Sequence, residues 1–342
     1  MQLARHIVAA AVCAAALVTA VAAQNAQING AGATFPNPIY SKWFDEYNKL
    51  HPNVRINYQS VGSGAGIRQV SNQTVFFGAT DGPMTNEQLQ AAPGKILHFP
   101  TVLGAVVPVY NVPNVRSELK FTGQVLADIF LGKIARWNDQ AIAKLNAGVT
   151  LPNTDITVVH RSDGSGTTYI WVDYLAKVSP EFKSKVGVNT SVNWPTGVGG
   201  KGNEGVAGLV TQSPGSIGYV ELIYALQNKI SYGPVQNMDA EFVKASVESV
   251  TAAAAAAAAK MPPDFRVSIT NAPGKGVYPI SSFTWLLLYE SPKDKAQAKI
   301  MVDFMKWALT DGQRFAASLG YAPLPEGVVT LEMAALAKVT VG

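Results

Sequence analysis

Four short loops of small residues carry the side chains with which this chain could do chemistry. The richest is Arg161-Ser162-Asp163-Gly164-Ser165-Gly166-Thr167. It follows a β-rich run, Ile156 to His160, and precedes Ile170, Trp171, Tyr174, Leu175 and Val178 at helical spacing. A strand, a glycine turn and a helix start make a cradle for tetrahedral anions, because the first turn of a helix has unpaired N–H groups and a partial positive charge. The Arg161 guanidinium can fork two donors onto two oxygens. Ser165 and Thr167 add hydroxyls, and Gly166 lets its N–H approach closely. Asp163 is out of place beside an anion unless it pairs with Arg161 and fixes the fork.

The other loops repeat the theme. Gly30-Ala31-Gly32-Ala33-Thr34-Phe35-Pro36 leads into a helix over residues 39–47, whose Ile39, Trp43 and Tyr47 share a face while Lys42, Asp45 and Glu46 point away. Thr34 is either an anion donor or an ordinary helix cap. Gly62-Ser63-Gly64-Ala65-Gly66 follows a strand over Val54 to Tyr58 and offers the Ser63 hydroxyl and backbone N–H groups. In Gly78-Ala79-Thr80-Asp81-Gly82-Pro83 the carboxylate of Asp81 would repel an anion, unless that anion carries a proton for Asp81 to accept. Phosphate near neutral pH keeps a proton and sulfate does not, so an Asp81 that faced the anion would favour phosphate by penalising sulfate. Read alone, Asp81-Gly82-Pro83 is a turn.

These loops need a scaffold that holds them at strand ends. Short β-rich runs, including Phe283 to Tyr289, alternate with helical patterns, which indicates parallel α/β units. The eight-alanine run Ala252–Ala259 reads as the tail of a helix starting near Asp239. The N-terminus has Arg5, an apolar run from Ile7 to Val21 and small residues up to Ala23, the pattern of a signal peptide over 1–23 cleaved after Ala22 or Ala23. Cys13, the only cysteine, lies in this leader behind Val12, so a lipid anchor, disulfides and thiolate metal sites are excluded from the mature chain. Export without disulfides fits a bacterial periplasm, where a large core stabilises the fold instead.

About 320 mature residues exceed the usual size of one core, so two domains are expected. No flexible linker separates them, which suits domains built from non-contiguous segments. Losing Arg5 takes the formal charge from +4 to +3, and no dense basic cluster argues for nucleic acid.

Together the loops closely resemble the periplasmic phosphate-binding proteins that serve the high-affinity phosphate ABC transporter. The likeness rests on GAGATFPNPIYSKW (30–43), NYQSVGSGAG (57–66), FGATDGP (77–83), FPTVLGAVVPVYN (99–111), LGKIARWND (131–139), RSDGSGTTYI (161–170), WPTGVGGKGNEG (194–205), PGSIGYVE (214–221) and YAPLP (321–325). It implies a type II two-domain binding fold with the ligand in the interdomain cleft. Residues 24–109 and 282–342 would form the first domain and 110–281 the second. It also implies phosphate contacts at Thr34, Phe35 through its backbone N–H, Ser63, Asp81, Arg161, Ser165, Gly166 and Thr167, with Asp163 orienting Arg161. No cofactor or metal is implied, and the expected partners are an ABC permease with its ATPase, the chain itself being a monomer. The sequence departs from the family at Gly64, where a serine is common, and at Phe76.

Two rival readings are weaker. Gly197-Val198-Gly199-Gly200-Lys201-Gly202 fits a dinucleotide pattern, but Trp194-Pro195 is a poor strand end before it, and Lys201 reads better as a brace near the cleft. A secreted phosphatase would use the same loops with Ser63 or Ser165 as nucleophile, yet it needs a base or metals. Only His51, His98 and His160 remain in the mature chain, and His160 alternates to the face opposite Arg161. Mass spectrometry of the exported chain is expected to give an N-terminus at Ala23 or Gln24; retention of Arg5 would remove the export reading.

Overall fold

The computed structural model describes residues 26–258 and 261–342; the expected signal peptide over 1–23, with Cys13, lies outside them. Among the described residues the strands are β1 (Ala26–Gly32), β2 (Val54–Ser60), β3 (Phe77–Thr80), β4 (Ile96–Asn111), β5 (Thr157–Arg161), β6 (Val198–Gly200), β7 (Ser216–Glu221), β8 (Ser231–Tyr232), β9 (Val235–Gln236), β10 (Phe242–Val243) and β11 (Ser281–Tyr289). One curled sheet runs β2-β1-β3-β11-β4-β7-β5-β6, with β8 also on β4.

The long strand β4 divides this sheet into two lobes. From Ile96 to Ala105 it pairs antiparallel with β11, and from Val106 to Asn111 with β7. The lobes have the same plan. In the first, β1 lies between β2 and β3, parallel to both. In the second, β5 lies between β6 and β7, again parallel to both. Each lobe therefore turns the carboxyl ends of its parallel strands toward a crevice, the position at which open α/β sheets bind ligands. The chain is a two-domain α/β protein of the periplasmic-binding type.

Local sequence explains most elements. The helix Asn37–Leu50 buries Ile39, Tyr40, Trp43, Phe44 and Tyr47, and it enters through Pro38 in its first turn. On its outer side Lys42 and Lys49 pair with Glu46, one turn away. Trp43 is fully buried and its indole N–H donates to the Gly312 carbonyl at 2.7 Å. Strands β3, β7 and β11 are buried at every residue and read as continuous runs, as central strands covered on both faces must.

The alanine-rich helix differs from expectation: it spans Val247–Ala258 and does not start near Asp239. Asn237 accepts the N–H groups of Asp239 and Glu241 into a tight turn, Ala240 takes a positive φ of 61°, and β10 pairs back on β9. A polar side chain that bonds its own backbone outcompeted helix propensity there. The Gly197–Gly202 segment contains β6 itself, so it has no strand before a glycine loop and the dinucleotide reading fails.

Helix Ser63–Ser71 lies unusually close to the sheet. A Cβ at Gly66 would stand 2.5 Å from the Gly32 Cα and 2.6 Å from the Ala79 carbonyl oxygen. Gly66 thus lets the helix start sit directly over the ends of β1 and β3. Gly66→Ala is expected to cost about 1–3 kcal/mol or more by overpacking against backbone. Calorimetric melting should show a fall of several degrees, and an unchanged melting temperature would contradict this packing.

Candidate anion-binding site

Every loop singled out in the sequence ends at the same crevice. Thr34 and Phe35 follow β1, Ser63 follows β2, Asp81 follows β3, Arg161 ends β5, and Ser165, Gly166 and Thr167 follow it. Helices beginning at Asn37, Ser63, Gly166 and Gly202 open next to these residues, so several positive dipole ends converge. Thr34, Phe35, Ser63, Asp81, Arg161, Ser165 and Thr167 are all buried.

Contacts cross from lobe to lobe at this point. The Gly166 N–H donates to the Ser63 hydroxyl oxygen at 3.0 Å, and the Gly64 N–H donates to the Gly164 carbonyl at 2.9 Å. A Cβ on Gly166 would come within 2.5 Å of the Asp81 carboxylate and 2.4 Å of the Ser63 hydroxyl, so glycine is required there. At Gly64 a Cβ would lie 3.1 Å from the Gly164 Cα, so here two glycine backbones meet face to face.

Arg161 is held as the sequence suggested, with one difference. Its Nε and Nη2 donate to the two Asp163 oxygens at 2.7 and 2.6 Å, so the fork is engaged by Asp163 and not left for the ligand. Nη1 is buried and has no partner among the described residues. A buried guanidinium donor without an acceptor is costly, and an anion oxygen would satisfy it. Asp163 also accepts the Gly202 N–H at 3.0 Å, which ties the arginine to the helix after β6.

The loop after β1 is set by three tyrosines. Tyr58 donates to the Ala33 carbonyl at 2.7 Å, Tyr224 to Thr34 at 2.6 Å and Tyr321 to Phe35 at 2.6 Å. In a trans peptide the N–H points opposite to the carbonyl of the same unit. Pulling the carbonyls of Ala33 and Thr34 toward tyrosines therefore aims the N–H groups of Thr34 and Phe35 the other way. Neither N–H has a protein partner among the described residues. Thr34 is not the helix cap; that position belongs to Pro36, and the Thr34 hydroxyl instead receives the Asn203 amide at 2.8 Å.

Asp81 is the acceptor among these donors. Its Oδ1 takes a hydrogen bond from the Thr284 hydroxyl at 2.8 Å, and Oδ2 lies 3.4 Å from the Ser63 hydroxyl. Burial pushes its pKa up to about 7, against the opposing pull of Thr284, the Arg161 charge and Ser63. Ser165 caps the helix Gly166–Val178 by accepting the Thr168 N–H at 3.0 Å, with its own hydrogen left to donate.

Sequence reasoning missed Asn203 and Thr284. A lone threonine inside the apolar run Phe283–Tyr289 was the available signal for one, and an asparagine opening a helix after glycines for the other. Lys201, read as a brace, is exposed and forms no ion pair among the described residues; its neighbours Gly202 and Asn203 reach the cleft instead. The histidines serve elsewhere. His98 accepts the Met84 N–H and burial lowers its pKa to about 3, while His160 stacks on Trp194 with centroids 5.2 Å apart.

Residues 17–312 match the PBP superfamily domain. The chain is 50% identical over 307 residues to the phosphate-binding protein PstS of Xylella fastidiosa strain Temecula1, covering 90% of this chain and 84% of that protein. This chain belongs to that family. PstS of Pasteurella multocida strain Pm70 is 49% identical over 311 residues, covering 91% and 90% of the two chains. Among solved structures, a phosphate-binding protein from Stenotrophomonas maltophilia superposes with a TM-score of 0.69 at 19% identity, covering 90% of this chain and 93% of that one. At that identity the superposition speaks for the fold alone.

The raised Asp81 pKa makes a stability prediction for the phosphate-free protein. Between its ordinary value of 3.8 and about 7, folded Asp81 holds a proton that the unfolded chain has released, so stability falls as pH rises through this window. Asp81→Asn removes that dependence. Its melting temperature is expected to match wild type near pH 4 and to exceed it by several degrees above pH 7; parallel curves across the range would contradict a proton held at Asp81.

Proposed function

We propose that this chain captures one free inorganic phosphate ion in the cleft with high affinity and delivers it to a membrane ABC permease and its ATPase. The observation that carries the reading is the composition of the site: buried donors gather at one crevice around the carboxyl of Asp81, while the carboxylate of Asp163 is taken up by Arg161. Donors from Thr34, the Phe35 N–H, Ser63, Arg161 Nη1, Ser165 and Thr167 suit the unprotonated oxygens of a tetrahedral anion, and the Gly166 N–H, which here donates to Ser63, would join them by exchanging that bond for a ligand oxygen. Asp81 suits the protonated one. Sulfate would bring a bare oxygen to a buried carboxylate, an unpaired contact between like charges. The relatives named above are phosphate-binding proteins, which supports the same ligand and a chain that is not an enzyme.

Release and capture would follow from bending where β4 exchanges β11 for β7. We take residues 24–109 with 282–342 as one rigid unit and 110–281 as the other, and binding as a shift of population from open to closed. Among the described residues no helix is long and apolar enough to cross a membrane. Export to the periplasm by the N-terminal signal, and action there as a monomer, complete the proposal.

Calorimetry of the mature protein tests it. Phosphate should bind tightly, arsenate comparably or more weakly, and sulfate not at all. Asp81→Asn should narrow the phosphate-over-sulfate ratio by on the order of ten- to a hundredfold, the worth of one charge-assisted hydrogen bond. Wild-type binding of sulfate as tight as phosphate would overturn the role of Asp81, and turnover of a chromogenic phosphate ester would favour an enzyme.

A further inference from the structure

We infer that Asn203 is a positioning residue that forces the Thr34 hydroxyl to donate to the ligand, and so fixes which ligand oxygens can carry the proton. The orientation of its amide follows from its neighbours. The Glu221 main-chain N–H can only donate, and it lies 3.0 Å from the Asn203 Oδ1. The amide nitrogen must then face the threonines, 2.8 Å from Thr34 Oγ1 and 3.2 Å from Thr167 Oγ1. The Asn203 main-chain N–H adds a second donor to Thr34 Oγ1 at 3.3 Å.

A hydroxyl oxygen has two lone pairs and one hydrogen. Asn203 occupies both lone pairs of Thr34, so this hydroxyl has only its hydrogen left to offer. Thr167 is biased the same way through one lone pair. Asn203 is fully buried, Thr34 and Thr167 nearly or fully so, and water does not compete for these bonds. An oxygen that meets Thr34 can only accept from it, so a proton on the ligand finds no acceptor there and is directed to Asp81, on the neighbouring strand end.

The contact also spans the cleft. Thr34 follows β1 in one lobe and Asn203 opens the helix Gly202–Gln212 in the other. The hydroxyl is committed as a donor only once the lobes meet, which couples closure to recognition of the ligand's proton. This inference rests on phosphate being the ligand, and it adds a residue through which that choice is made.

A double-mutant cycle with phosphate titrated calorimetrically into wild type, Asn203→Ala, Thr34→Val and the double variant tests the coupling. Each single change is expected to weaken binding on the order of ten- to a hundredfold, and the double variant by little more than the larger single loss. Losses that multiply would overturn the role given to Asn203. Neutron diffraction of wild-type crystals grown with phosphate needs no variant to fold. Deuterium on Thr34 Oγ1 pointing at a phosphate oxygen is the expected result, and deuterium pointing at Asn203 would overturn the inference. A wild type that takes up no phosphate would instead remove the ligand reading beneath it.

Discussion

An anion drawn into this cleft is compensated by oriented dipoles and not by surplus positive charge. Arg161 is the cation at its wall, and Asp163 already neutralises it at 2.6 Å. Asp81 adds a further carboxylate. Net positive charge would attract any oxyanion, whereas fixed N–H and O–H groups reward only an ion whose oxygens match their directions. The strand–loop–helix units exist to aim those groups, and the rest of the architecture exists to hold the units together.

Aiming dipoles requires rigidity behind them. The tyrosine hydroxyls on consecutive carbonyls of the loop after β1 show how it is obtained, since each fixes a peptide plane from outside the cleft. Two of the tyrosines are distant in sequence, and Tyr224 belongs to the opposite lobe. The loop's geometry therefore depends on both lobes. Gly66 and Gly166 act in the same sense by removing side chains where backbone must approach backbone or carboxylate. A preorganised site of this kind holds its ordering cost within the fold and leaves less to be lost on binding.

The loops themselves were legible in the sequence because each is a contiguous strand, glycine turn and helix start, and Asp81 stood out as an acceptor among donors. The Arg161–Asp163 pairing was legible for the same reason, as two residues on one turn. What stayed hidden is what acts across the fold. Asn203 reaches Thr34 from 169 positions away, and Thr284 reaches Asp81 from 203. The false helix start near Asp239 had a local cause, the Asn237 turn, which composition alone does not reveal. The exchange of partners along β4 is a matter of register, and only the pairing of Ala105 with Ser281 and Val106 with Glu221 locates it.

Hydrogen-bond polarity also explains why a site so rich in hydroxyls binds without reacting. A serine nucleophile needs a base to take its proton and a lone pair free to attack. Ser63 accepts the N–H groups of Gly166 and Asp81 at 3.0 and 3.1 Å, which engages both lone pairs. Ser165 spends one on the Thr168 N–H, and Thr34 spends two on Asn203. The same engagement that turns these groups into donors blunts them as nucleophiles. Asp81 is the nearest candidate base to Ser63, but its Oδ2 lies a long 3.4 Å from the Ser63 hydroxyl and its Oδ1 is held by Thr284. Binding specificity and chemical inertness thus have one origin, the direction in which each hydroxyl hydrogen is made to point.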